Sequence, residues 1–91
     1  MSQLSDQVII VTGASRGIGA AAAVALAESG AKLCLSARSA ASCSKVLEDI
    51  KNAGGEAFAA SCDVSDFSAV EKLVAETLDR YGKVDVIINN A

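Results

Sequence analysis

At 91 residues the chain has room for one small domain, and 52% hydrophobic content with only 3% aromatics calls for an aliphatic, alanine-rich core. Eight basic against eleven acidic residues leave a net charge of −3, which excludes a nucleic-acid surface because no basic face is on offer. No apolar run approaches the roughly 20 residues that span a bilayer, and three oddly spaced cysteines without any histidine exclude a zinc site.

The chain opens without a basic segment followed by an apolar one, so no secretory leader is expected. Cys34, Cys43 and Cys62 then read as reduced thiols packed like small hydrophobes, in a cytoplasmic setting. Val8-Ile9-Ile10-Val11 is continuously apolar and predicts a central strand covered on both faces. Residues 17–29 predict a helix with Ile18, Ala22 and Leu26 on its inner side, ended by Gly30. A second strand is predicted over 32–37, where Leu33 and Leu35 alternate with Cys34 and Ser36.

Residues 39–53 predict a second helix, with Val46, Leu47 and Ile50 inward and Gly54-Gly55 as its stop. A weaker third strand follows over 57–61. Ser65 or Asp66 then caps a third helix whose core positions are Val70, Leu73, Val74 and Leu78, with Gly82 at its end. Residues 84–88 are rich in β-branched side chains and predict the fourth strand. Strands alternating with helices at these lengths imply parallel βαβ units with right-handed crossovers. The predicted fold is therefore α/β, part of a Rossmann-like doubly wound parallel sheet with strand order 3-2-1-4. Its ligand crevice is expected at the carboxyl ends of strands 1 and 4, where the glycine-rich turn and Asn89-Asn90-Ala91 fall.

The octet Thr12-Gly13-Ala14-Ser15-Arg16-Gly17-Ile18-Gly19 follows the first strand directly. Glycines permit a tight turn and a close approach to the main chain, and the next helix offers unpaired N–H groups and a positive dipole end. That combination suits a pyrophosphate. The spacing Gly-x-x-x-Gly-x-Gly differs from the common Gly-x-Gly-x-x-Gly dinucleotide pattern. It also differs from the Gly-x-x-Gly-x-x-Gly of sugar-nucleotide epimerases and dehydratases.

Taken with Ala37-Arg38-Ser39, Cys62-Asp63-Val64 and Asn89-Asn90-Ala91, this octet resembles the N-terminal half of a short-chain dehydrogenase/reductase. Within that family the likeness is greatest to the bacterial 3-oxoacyl-[acyl-carrier-protein] reductases. It runs from about Leu4 to Ala91, and departs at Asp6-Gln7, where relatives often carry Gly-Lys. The resemblance implies that Gly13, Gly17 and Gly19 shape a pyrophosphate turn and that Ile18 lies near the nicotinamide side. It implies that Thr12 ties strand 1 to residues 89–91, and that Asp63 accepts from the adenine amino group beside Val64. Asn90 and Ala91 would line the adenosine ribose.

An acid at the end of strand 2 would bond both ribose hydroxyls and select NAD. Here Ala37 and Arg38 stand there instead, and Arg16 adds a second guanidinium on the same side. With Ser15 and Ser39 as hydroxyl donors, this set matches a phosphate dianion and implies NADP(H).

The family's proton-donating tyrosine, the lysine four residues later and the substrate-polarising serine lie beyond an Asn-Asn-Ala-Gly motif. This chain stops at Ala91, and Tyr81 is followed four positions on by Asp85, so no catalytic residue is assigned. Residues 1–91 are therefore expected to be the cofactor-binding part of a truncated reductase domain. The full-length form would be a homo-oligomer reducing a small-molecule or acyl-carrier-bound carbonyl. Val86, Ile87 and Ile88 are expected to form an exposed apolar edge. A stand-alone nucleotide-binding module without chemistry is the alternative.

Overall fold

The computed structural model describes residues 4–90. Strand β1 (Val8–Thr12) leads into helix α1 (Gly17–Glu28), β2 (Lys32–Ala37), a 3-10 turn (Ala40–Cys43) and α2 (Ser44–Asn52). Strand β3 (Glu56–Ser61), α3 (Phe67–Tyr81) and β4 (Val86–Ile88) complete the fold. The strands form one parallel sheet in the order β3-β2-β1-β4, as predicted.

Two-residue alternation splits the core between the faces of the sheet. Ile9, Val11, Leu33 and Leu35 point to the side covered by α1 and α2, where they meet Ala23, Ala27, Val46 and Ile50. Ile10, Cys34 and Phe58 point to the other side and pack with Cys62 and Leu73, against α3. Because β1 and β2 are covered on both faces, all five residues of β1 are buried.

Helix α1 departs from its predicted orientation. The buried stripe is Gly19, Ala23 and Ala27, while Ile18 is 80% exposed. Spacing by four was right, but α1 is apolar nearly all round, so periodicity alone could not choose the seam. The smallest side chains win because they bring the helix axis closest to the sheet.

The segment predicted as one helix over 39–53 instead begins as a 3-10 turn and becomes α-helical only at Ser44. Local hydrogen bonds hold the tighter winding: Ser42 donates to the Ser39 carbonyl through its hydroxyl at 2.6 Å and through its amide at 3.1 Å.

Asp66, not Ser65, caps α3, accepting from Ser68 N–H at 2.9 Å and Ala69 N–H at 3.4 Å. Along α3 the buried line runs from Leu73 to Thr77, and Leu78 is 45% exposed, contrary to its predicted core place. Thr77 fits inside because its hydroxyl donates back to the Leu73 carbonyl at 2.8 Å. Gly82 ends the helix at φ 83°, a left-handed conformation that glycine adopts without strain.

Strand β4 begins later than predicted, at Val86. Just ahead of it, Asp85 donates its N–H to the Val8 carbonyl and accepts Val8 N–H on its carboxylate, at 2.9 and 2.8 Å. This pair of bonds fixes the β1–β4 register from below. Val86 and Ile87 are exposed on the edge, and Ile88 is half-buried. All three cysteines are free and buried. Burial pushes the Cys34 thiol up to about 11, which keeps it protonated and inert.

Candidate functional site: a cleft at the carboxyl ends of the strands

The parallel sheet sends the ends of β1, β2, β3 and β4 to one edge, and there the chain opens a cleft of about 920 Å³. Gly13, Ser15, Arg16 and Gly17 form one wall and Ala37, Arg38, Ser39 and Ser42 another. Cys62, Asp63, Val64 and Ser65 form a third, with Asn90 at the base. Nine of the twelve residues picked out from the sequence thus meet in one place: Gly13, Ser15, Arg16, Gly17, Arg38, Ser39, Asp63, Val64 and Asn90. Ile18 and Gly19 are not on the cleft wall. Ala91 lies outside the described residues.

The glycines hold three different jobs. Gly13 has φ 61°, and a methyl group built on it would overlap the Asn90 carbonyl. Gly19 sits beneath the turn, where a methyl would overlap the Gly13 carbonyl and crowd the Asn90 amide. Its absent side chain seats α1 under the turn and does not itself face a ligand. Gly17 has φ 63° with open space around its missing side chain, so it leaves the cleft free for a group that must reach the main chain.

The first turn of α1 is unlike that of α3. Arg16 occupies its N-cap in an extended conformation and makes no side-chain cap bond, whereas the α3 N-cap Asp66 accepts two N–H groups. The leading N–H groups and the positive dipole end are therefore left for an anion in the cleft. Among the described residues neither Arg16 nor Arg38 takes part in an ion pair. Both guanidiniums stay available.

Thr12 ties β1 to the end of the edge strand β4 at the cleft floor. Its hydroxyl accepts from Asn90 N–H at 3.0 Å and sits 3.0 Å from Asn89 Oδ1 and 3.3 Å from the Ile88 carbonyl. The Ala14 N–H donates to the Ser36 carbonyl at 3.1 Å, which fixes the glycine turn to β2.

Opposite, Asp63 Oδ1 accepts from the Ser65 hydroxyl at 2.6 Å and the Ser65 amide at 3.0 Å. Those two bonds hold its carboxyl below the usual range, and the Arg38 charge pulls the same way. Asp63 is thus a fixed, ionised acceptor whose other oxygen takes no bond among the described residues.

Sequence reasoning missed Ser36, Ser42 and Ser65, all on the cleft wall. Ser42 was findable, since residues three apart eclipse on a 3-10 turn and it follows Ser39 by three. Ser36 lies on the α3 side of β2, level with Thr12, and strand alternation puts it there. Its hydroxyl is fully buried and has no hydrogen-bond partner among the described residues.

The open amides and unpaired guanidiniums can take anionic groups, and the Asp63 carboxylate can accept a hydrogen bond. Residues 7–91 match the short chain dehydrogenase family, and the chain belongs to it. It is 49% identical over 88 residues to an uncharacterized oxidoreductase of Listeria innocua, covering 97% of this chain and 36% of that protein. It is 44% identical over 92 residues to the 3-oxoacyl-[acyl-carrier-protein] reductase of Synechocystis sp., covering 100% of this chain and 37% of the relative.

Among solved structures, a metagenomic short-chain oxidoreductase in complex with NADP superposes with a TM-score of 0.94 at 46% identity. That match covers 99% of this chain and 41% of the other. The chain therefore spans little more than a third of the length of the curated relatives it matches. No helix among the described residues is long and apolar enough to cross a membrane.

Proposed function

We propose that this chain is the NADP(H)-binding part of a carbonyl reductase, and that the protein to which it belongs reduces a 3-oxoacyl thioester or a related ketone to an alcohol. The observation that carries the cofactor choice is the meeting of Arg16 and Arg38 on one cleft, with Ala37 where an NAD-selecting acid would stand. Two unpaired guanidiniums favour a ribose 2′-phosphate and supply the planar donors that bind it best. The likeness to an NADP-bound oxidoreductase supports the same choice.

Bound nicotinamide dinucleotide supplies the hydride. The residues of this chain bind and orient it: the α1 amides and Gly17 take the pyrophosphate, Arg16 and Arg38 with Ser15 and Ser39 take the 2′-phosphate, and Asp63 takes the adenine amino group beside Val64. Asn90, positioned by Thr12, lines the ribose. Among the described residues we assign no side chain the role of proton donor to a ketone. The acyl-thioester substrate is supported by the Synechocystis relative. The relatives also include a versicolorin reductase, so the ketone class is the broader statement.

Fluorescence titration with NADPH and NADH tests the cofactor assignment; tighter binding of NADPH supports it, and equal binding defeats it. Turnover of NADPH with acetoacetyl thioester by the complete protein tests the substrate, and turnover only with other ketones rejects the thioester.

A further inference from the structure

Ser61 is the last residue of β3, paired in register with Ala37, the last residue of β2. Past this point the chain leaves β2 through Arg38 and Ser39 and enters the 3-10 turn at Ala40. Ser39, the residue at the N-cap of that turn, makes no side-chain cap bond. The cap comes from the neighbouring strand instead: Ala40 N–H donates to Ser61 Oγ at 2.8 Å, across 21 positions of sequence. Beside it, Cys62 N–H donates to the Ala37 carbonyl at 2.8 Å. The bend carrying Arg38 and Ser39 is thus pinned at both ends to β3, by a backbone bond before it and by one hydroxyl after it.

We propose that Ser61 is a positioning residue for cofactor discrimination. Its hydroxyl holds the Arg38–Ser39 bend so that guanidinium and hydroxyl converge on the 2′-phosphate. The inference rests on the 2′-phosphate assignment given above. Ser61 does not line the cleft. Its effect passes through Ala40, and it is exposed, so removing its hydroxyl leaves no cavity in the core.

Geometry restricts the consequence to one end of the ligand. The pyrophosphate wall is held by Ala14 on Ser36, and the floor by Thr12 on Asn90; neither depends on Ser61. Loss of the hydroxyl frees one N–H and loosens only the bend that meets the extra phosphate.

The test compares NADPH and NADH binding to the wild-type chain and to its Ser61→Ala and Ser61→Thr variants, by cofactor fluorescence. Ser61→Ala is expected to weaken NADPH by about 3- to 10-fold, the worth of one hydrogen bond, with NADH held within about twofold. Ser61→Thr, which keeps the hydroxyl, is expected to restore the preference. Equal losses for both nucleotides, or no loss for either, overturn the role of Ser61. A wild-type chain that does not prefer NADPH overturns the 2′-phosphate assignment, and this inference falls with it.

Discussion

Thr12 and Asn90 are 78 positions apart, yet one hydroxyl joins them: Thr12 Oγ1 accepts Asn90 N–H at 3.0 Å. The same oxygen lies 3.0 Å from Asn89 Oδ1, toward which it can donate, so a single side chain of β1 organises the segment leaving β4. Gly13, next in sequence, packs so closely on the Asn90 carbonyl that a methyl there would overlap it. The glycine turn and the Asn89-Asn90 segment are therefore one unit.

Thr12→Val keeps the shape of this buried side chain and removes its hydroxyl, stranding the Asn90 amide. Stability is expected to fall by about 1–3 kcal/mol, read from the urea midpoint. Thr12→Ser, which keeps the bonds, should lose less. A loss in Thr12→Ser with none in Thr12→Val would mean that the methyl group, not the hydroxyl, matters at this site.

Gly17 and Gly19 should respond differently to the same change. Gly19→Ala forces a methyl into the Gly13 carbonyl and is expected to cost about 1–3 kcal/mol of stability. Gly17→Ala meets no atom and is expected to cost about 1–2 kcal/mol for its left-handed backbone, with a loss of NADPH binding on top. Thermal melts with and without NADPH separate the two effects. Retained binding in a folded Gly17→Ala variant would show that the ligand does not approach that position.

Arg38→Asp exchanges a guanidinium offered to the 2′-phosphate for a carboxylate that repels it. NADPH binding is expected to weaken by about 2–4 kcal/mol, with the preference against NADH relieved. Titration of both cofactors checks it. An unchanged preference would remove Arg38 from the phosphate site.

Ser36→Ala is expected to stabilise the chain by about 1 kcal/mol, because it deletes a buried hydroxyl that has no partner among the described residues. Chemical denaturation measures this directly, and a clear loss of stability would reveal a partner for the hydroxyl in solution.

Asp85 links stability to pH. The Val8 amide, and after it Lys83 with Nζ at 3.0 Å, hold its carboxyl below the usual carboxylate range. A group whose folded value is depressed adds stability that is fully present above its unfolded value, near pH 4, and that disappears as pH falls through the folded value. Asp85→Asn should therefore lower stability at neutral pH and flatten its decline below about pH 4. Parallel acid-denaturation curves for the two proteins would contradict the assignment.

Much of this was legible in the residues themselves. Val8-Ile9-Ile10-Val11 announces a doubly covered strand, and the alternation of elements dictates the parallel sheet and its order. The convergence of Gly13, Arg38, Asp63 and Asn90 follows from topology, since parallel strands send their ends to one edge. What stayed hidden had no pattern to betray it. Helix α1 is apolar all round, so its inner stripe was read one position off, at Ile18, Ala22 and Leu26. Thr77 displaced Leu78 from the core of α3 because a back-bonded hydroxyl is easily buried, which polarity alone does not foretell. Ser61 escaped notice because its bond to Ala40 exists only once β3 lies beside β2.

The line of Gly19, Ala23 and Ala27 works as a bearing surface with almost no clearance, and the anion-facing amides stand at its tip. A bulkier side chain anywhere along that line would lift the rod and swing its tip away from the glycine turn. Attempts to harden this small domain by enlarging its interior should therefore trade ligand grip for rigidity when they touch α1, and should leave grip intact when they touch the α3 side of the sheet away from the cleft, at Ile10, Cys34 or Leu73.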